Sequence, residues 1–260
     1  MLAEKTALIT GSLDGIGYGI AKALAEKGAK VMLNGFGDQS LIDDRIAELK
    51  AKGVDAAYHG ADVSKLTDIE DLVRATEQRF GPIDILVNNA VTRHRANIED
   101  FPVERWDYAM AVNLTAPFHL IRLTMPGMKQ RRWGRILNLA SVFSFMGTPE
   151  RADYCTTKHG LLGLTRVVAL EGLSFNVTCH AICPGTADTP NTRRNLAAQQ
   201  AASGLSEADT LEQFLAVRQP SRRLISPDRI GALAAFLCSD DASDMTGAPI
   251  PIDGGWLSGH

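Results

Sequence analysis

Short apolar runs alternate with amphipathic stretches along most of the chain. Lys5-Thr-Ala-Leu-Ile-Thr10 has the length of a buried strand, and Ile20, Leu24 and Ala25 then recur at helical spacing. The same alternation predicts a strand over residues 29–34, a helix around 40–52, a strand over 55–59, a helix around 67–79 and a strand over 83–87. Trp106, Met110, Asn113 and Leu114 share a helical pattern, Gly134 to Ser141 reads as a strand ending in a hydroxyl, and Asn176 to Cys183 as another strand. A helix near 228–238 and a strand over 248–253 close the chain. Repeated βα units joined by short loops imply a parallel sheet covered by helices on both faces. Ligands of such sheets bind at the carboxyl ends of the strands.

Residues 186–226 break this rhythm and are too long for an ordinary loop. Within them Ser206-Glu-Ala-Asp209 is capping-box-like, and it precedes Leu211, Phe214 and Leu215 on one helical face. The segment is either a helical lid over a ligand or an element packed at the domain edge.

Composition narrows the class. With 260 residues and 45% hydrophobic content the chain suits one large α/β domain or two small ones, and its net charge of −3 argues against nucleic acid or an anionic membrane as main partner. No apolar run reaches the ~18 residues of a membrane span, and Met1-Leu2-Ala3-Glu4-Lys5 lacks a signal peptide's apolar centre, so a cytoplasmic location is expected. Cys155, Cys179, Cys183 and Cys238 form no CxxC pattern and are expected to be reduced, and no metal site is expected.

Candidate chemistry begins at the first strand. Gly11-Ser12-Leu13-Asp14-Gly15-Ile16-Gly17 follows it and opens a helix, the context in which glycines let the backbone approach a pyrophosphate. The second strand ends in Gly35-Phe36-Gly37-Asp38, where a dinucleotide site meets the adenosine ribose. No lysine or arginine stands there or at Leu13 and Asp14, so a 2′-phosphate lacks a partner and NAD is favoured over NADP. The carboxylate usual for the ribose hydroxyls is also missing from the strand end. Asp62-Val63 and Asn88-Asn89-Ala90 fall at further strand ends, as polar caps or as adenine contacts and a cofactor wall.

Tyr154-Cys-Thr-Thr-Lys158 places a phenol and an ammonium on one helical face. A free tyrosine titrates near pH ~10, and an adjacent cation favours its phenolate, which makes Tyr154 a usable proton carrier. By spacing alone the pair also reads as a surface pair on an amphipathic helix. Ser141 precedes Tyr154 by thirteen residues and follows Asn113 by twenty-eight.

With TGSLDGIG at 10–17, DV at 62–63, NNA at 88–90, Asn113, Ser141, YCTTK at 154–158 and PGTADT at 184–189, the chain resembles the short-chain dehydrogenase/reductase family over nearly its whole length. The resemblance implies a single Rossmann-like domain over 1–260, a doubly wound parallel sheet with the 186–226 lid. It also implies roles. Tyr154 takes the substrate's hydroxyl proton as hydride leaves the same carbon for the nicotinamide, and Ser141 holds that oxygen. Lys158 lowers the tyrosine pKa and holds the nicotinamide ribose, and Asn113 positions a water in the proton relay. Pro184, Gly185 and Thr189 support the nicotinamide. Val91 stands where the family has glycine. The helix from Cys155 onward, with Leu161, Leu162, Leu164, Val167, Val168 and Leu170, is apolar around more than one stripe. The family dimerises and tetramerises through it, so a homodimer or homotetramer is expected, a deeply buried helix of a monomer being the other account.

Within the family the chain is most similar to D-3-hydroxybutyrate dehydrogenases, through NGFGD at 34–38, IEDFP at 98–102, RQP at 218–220 and DGGW at 253–256. That subgroup grips a carboxylate with a glutamine, a histidine, a lysine and a lid glutamine, and the matching positions here are Arg93, Phe143, Arg151 and Asn195. All four differ. Trp256 is counted with them as a substrate contact. Two arginines suit a carboxylate, sulfonate or phosphate, unless they are solvated at the rim or paired with Glu150 and Asp153. The expected activity is NAD-dependent oxidation of a hydroxyl on a small anionic substrate such as a 3-hydroxybutyrate-like hydroxy acid. The alternatives are an NAD-dependent sugar 1-dehydrogenase for an acidic or sulfonated sugar such as sulfoquinovose, and a non-catalytic NAD-binding regulator.

Overall fold

A computed structural model describes residues 2–259. The strands are β1 (Thr6–Ile9), β2 (Lys30–Asn34), β3 (Ala56–His59), β4 (Ile85–Asn88), β5 (Gly134–Leu139), β6 (Val177–Pro184) and β7 (Pro249–Ile252). They form one seven-stranded parallel sheet in the order β3-β2-β1-β4-β5-β6-β7. The order reverses between β1 and β4, which opens a crevice at their carboxyl ends.

The helices are α1 (Gly15–Glu26), α2 (Gln39–Lys50), α3 (Leu66–Phe80), α4 (Val103–Met110), α5 (Ala116–Arg131), α6 (Ala152–Gly172), α7 (Pro190–Ser203), α8 (Glu207–Ala216) and α9 (Pro227–Leu237). Alternate strand residues face opposite cores. Ile9, Val31, Leu33 and Val87 join Ile20, Leu24 and Ile230 in one cluster, while Leu8, Met32, Leu86 and Ile136 join Ile69, Leu72, Leu120 and Val168 in the other. Burial on both faces is why the strands read as continuous apolar runs rather than alternating ones.

Three local features differ from the sequence reading. Ser141 lies beyond β5 rather than at its end, as the N-cap of a short turn over Val142–Ser144. Its hydroxyl accepts from the Phe143 amide at 3.2 Å and its own amide donates to the Ser144 hydroxyl at 3.3 Å, and this reciprocal cap ends the strand early. Asn113 sits in a π-helical turn, Ala111–Thr115, between α4 and α5. The 186–226 segment holds α7 as well as the expected α8, whose N-cap is Ser206. No helix among the described residues is long and apolar enough to cross a membrane.

Candidate active site

The glycine turn after β1 is held from below. Asn89 donates its side-chain amide to the carbonyls of Thr10 at 3.0 Å and Gly11 at 2.6 Å, and the Asn89 and Ala90 amides donate to the Thr10 hydroxyl. Ser12, fully buried, donates to the Ile9 carbonyl at 2.8 Å. Ser12 and Asn89 therefore shape the turn through their side chains. A Cβ on Gly17 would lie 2.3 Å from the Gly11 carbonyl oxygen, so only glycine permits this approach. Asp14, the N-cap of α1, makes no side-chain bond to the first turn, which leaves the Gly15, Ile16 and Gly17 amides at the positive end of the helix free of a side-chain cap. A pyrophosphate fits such a set of donors.

At the end of β2 Phe36 is 70% exposed, and residues 34–38 include no lysine or arginine. Asp38 is committed elsewhere. Its carboxylate accepts from the Leu41 amide at 2.8 Å and the Ser40 hydroxyl at 3.0 Å, capping α2, and these bonds hold it below the usual carboxylate range. Arg45, which no motif signals, reaches back from α2 to the Leu13 carbonyl at 3.0 Å and pairs with Glu48 at 3.3 Å. Asp62 binds the amide and hydroxyl of Ser64, and Val63 is buried against the core.

Tyr154 and Lys158 lie one turn apart on α6, with the lysine Nζ 5.5 Å from the phenol ring centroid. The Lys158 ammonium donates to the Leu139 carbonyl at the end of β5. Burial, and then the charge of Arg93, push it down to about 7. The helix is tied to the sheet by a chain of polar bonds. Asn138 on β5 accepts from Asn88 at 2.8 Å and donates to Thr165 of α6 at 2.9 Å. Asn113 accepts from the Thr92 amide at 2.8 Å and donates to the Thr92 carbonyl at 2.9 Å and the Thr157 hydroxyl at 3.3 Å. The π turn thus joins the loop after β4 to α6. Since Ser141 accepts from a backbone amide, its own O–H remains to be donated.

These residues open on a cleft of about 790 Å³. Asn89, Val91, Arg93, Ser141, Phe143, Arg151, Tyr154, Lys158, Pro184, Gly185, Thr189, Asn195 and Trp256 line it together, as does Ile16. Val91 is not among the residues with positive φ and lines this cleft. Gly11, Ser12, Gly15, Gly17, Phe36, Asp62, Val63 and Asn113 lie outside its lining. Phe143 meets Tyr154 and Trp256 edge to face, with centroids 6.2 and 5.6 Å apart. The guanidiniums of Arg93 and Arg151 stand 5.3 and 6.0 Å from the Tyr154 ring centroid. Neither pairs with Glu150 or Asp153. Asp153, fully buried, instead accepts from the amides of His94 at 2.9 Å and Tyr154 at 2.6 Å. Two further arginines, Arg95 and Arg218, complete the wall. Arg95 lies in no motif, and Arg218, the first residue of the RQP run at 218–220, is brought here by the folding of the 186–226 segment.

A doubly wound sheet with an uncapped helix start at its switch point, and a tyrosine–lysine pair facing the same crevice, defines a class: oxidoreductases of the dinucleotide-binding type. Within it the chain belongs to the short-chain dehydrogenase/reductase family. The family profile described as enoyl-(acyl carrier protein) reductase matches residues 11–257. D-beta-hydroxybutyrate dehydrogenase of Cupriavidus necator is 46% identical over 258 residues, covering 99% of this chain and 100% of that protein. The enzyme of the same name from Rhizobium meliloti is 42% identical over 257 residues, covering 98% and 99%. Among solved structures, L-sorbose reductase of Gluconobacter frateurii, complexed with NADPH and L-sorbose, superposes with a TM-score of 0.94 at 29% identity, covering 98% of this chain and 97% of that one. Levodione reductase superposes with a TM-score of 0.90 at 31% identity, covering 99% of both.

Proposed function

We propose that this protein oxidises a hydroxyl group of a small organic anion with NAD, the substrate being a hydroxy acid of the 3-hydroxybutyrate kind. The observation that carries the reading is Tyr154 set among Lys158, Arg93 and Arg151 in a cleft lined by no carboxylate. In the reaction the phenolic oxygen of Tyr154 takes the hydroxyl proton, and Ser141 donates its O–H to the same substrate oxygen. Lys158, Arg93 and Arg151 stand around the phenol at which this transfer takes place. Bound at the glycine turn, NAD would supply the acceptor for the hydride of the hydroxyl-bearing carbon, and alcohol and NAD would yield ketone, NADH and a proton. Arg93 and Arg151 fork onto the substrate's anionic group, and Phe143 and Trp256 form the apolar wall beside it. Asn113 acts by holding the Thr92 loop and α6 in register.

Preference for NAD over NADP rests on the exposed Phe36 and on Arg45 being already bound to Leu13 and Glu48. The lid reading rests on α7 and α8, which contribute Asn191, Asn195 and Phe214 to the cleft wall. Homo-oligomer formation rests on Val167 and Leu170 of α6, 54% and 71% exposed, beside buried Val168. The aromatic pair Phe143–Trp256 also suits the apolar face of a pyranose, which favours an acidic or sulfonated sugar as the second reading.

The test is NADH formation with a panel of hydroxy acids, sugar acids and hydroxysulfonates, with NADP in parallel. Arg93→Gln and Arg151→Gln are expected to raise KM for the best anion about 10- to 100-fold. An unchanged KM in both variants refutes the anion grip.

A further inference from the structure

The cleft carries more positive charge than one carboxylate needs. Arg93, Arg95, Arg151 and Arg218 line it together with Lys158, and no aspartate or glutamate does. The chain as a whole has a net charge of −3, so the cleft reverses the sign of the protein around it. None of the four guanidiniums makes an ion pair among the described residues. Two other arginines of the 186–226 segment behave differently. Arg193 is held by Asp188 at 2.6 Å and Arg222 by Glu212 at 2.7 Å. Arg218 instead donates to the Phe214 carbonyl at 2.7 Å and lies over the Phe214 ring at 4.3 Å, contacts that fix the fork without neutralising it.

Arg95 is near enough to act on the charge of both Arg151 and Arg218. Burial, then Arg95 and Arg93, draw the Arg151 guanidinium below its ordinary value, and burial, then Arg95, do the same to Arg218. Asp153 tempers Arg151 from behind, but its oxygens are taken by the His94 and Tyr154 amides. Like charges gathered in a half-buried cleft repel, and an anion between them removes that repulsion. One carboxylate satisfies one or two forks. If it sits on Arg93 and Arg151 beside Tyr154, Arg95 and Arg218 are left uncompensated.

We propose, resting on the oxidation inferred above, that Arg95 and Arg218 form a second anion subsite and that the substrate is a hydroxy acid bearing a second anionic group away from the reacting carbon. The shared chemistry is a set of forked oxygens, supplied by a second carboxylate or by a phosphate or sulfonate. Arg95 and Arg218 are then specificity residues that touch substrate.

The experiment compares NADH formation from 3-hydroxybutyrate, from hydroxy-dicarboxylates such as malate and 3-hydroxyglutarate, and from phosphorylated or sulfonated hydroxy acids. The best two-group compound is expected to exceed 3-hydroxybutyrate by about tenfold or more in kcat/KM. Arg95→Gln or Arg218→Gln then shrinks that ratio by about 10- to 100-fold, mainly through KM, while the surface variant Arg222→Gln leaves it in place. Whether the dicarboxylates or the phosphorylated and sulfonated acids win identifies the second group. Calorimetric binding of malonate, glutarate and butyrate to the protein with NADH gives a readout independent of turnover. A ratio near one, or equal losses for one-group and two-group substrates in both variants, overturns the subsite and leaves the oxidation standing. Tighter binding of the dianions that weakens in both variants, with no hydroxy anion turned over, supports the subsite and overturns the oxidation.

Discussion

Replacing Lys158 by methionine is expected to stabilise the cofactor-free protein while removing its turnover. The lysine is buried, hydrogen bonded to the Leu139 carbonyl, and pushed down from 10.5 to about 7, first by burial and then by Arg93. A depression of that size corresponds to a penalty on the order of 5 kcal/mol for the charged form in the folded state. The sign follows from proton linkage. Below about pH 7 both folded and unfolded chains carry the proton and the penalty is fully present. Between about 7 and 10.5 the folded protein sheds the proton first, so wild-type stability rises by about 1.4 kcal/mol per pH unit from this group.

Methionine has neither the charge nor the slope. It also forfeits the bond to Leu139, worth about 1.5–3 kcal/mol, so its net advantage near pH 6.5 is about 2–3 kcal/mol. Urea denaturation of both proteins at equal concentration from pH 6.5 to 9 reads the difference directly. The advantage is expected to vanish by about pH 9. Arg93→Gln removes the second cause and is expected to move the window upward. Parallel stability curves for wild type and Lys158→Met refute the account of Lys158 as a charge held against desolvation.

Three shorter tests bear on the rest of the site. Tyr154→Phe is expected to lower turnover by about 10²–10⁴ while NADH binding, followed by fluorescence, stays within a few-fold; equal loss of both makes Tyr154 a cofactor contact and not the proton carrier. Asn113→Leu strips partners from the Thr92 amide, the Thr92 carbonyl and the Thr157 hydroxyl and is expected to cost about 2–4 kcal/mol in urea denaturation, so an unmoved midpoint removes the bridging role. Phe36→Arg, on a side chain 70% exposed at the end of β2, is expected to raise NADP kcat/KM by about tenfold or more, and an unchanged NAD to NADP ratio refutes the assignment of that loop to the ribose.

The strand and helix order was legible because the inner strands β1, β2, β4, β5 and β6 are buried on both faces and the crossover helices on one, so the apolar pattern repeats the architecture. The spacing of Tyr154 and Lys158 was legible for the same reason that helices have a fixed pitch. What escaped the sequence was local or long-range. The π turn at Ala111–Thr115 has the composition of the helix it interrupts. Ser141 reads as the last strand residue until its cap with Ser144 is seen. Helix α7 has Leu196 as its buried residue, so no apolar stripe announces it. Arg95 sits in no motif, and Arg218, although it opens the RQP run, is remote from Arg95 in sequence; they meet in one cleft because α7 and α8 fold back over the strand ends.

The division between fixed and variable parts of this site follows from how each is held. Tyr154 and Lys158 ride on a 21-residue helix bonded through Asn113, Leu139 and Asn138 to the turn after α4 and to the central strands. Moving the phenol means breaking several buried bonds at once, which couples the position of Tyr154 to the stability of the fold. Every arginine of the cleft wall, by contrast, stands outside the regular elements: Arg93 and Arg95 after β4, Arg151 at the N-cap of α6, and Arg218 just past α8. Their surroundings are loops and the lid, where a side chain changes without disturbing the sheet. Under the proposed function the same proton-transfer machinery serves substrates of different charge. The four departures at positions 93, 143, 151 and 195 fall on that adjustable wall, so on that proposal they alter what the cleft admits while leaving Tyr154 and Lys158 where the helix puts them.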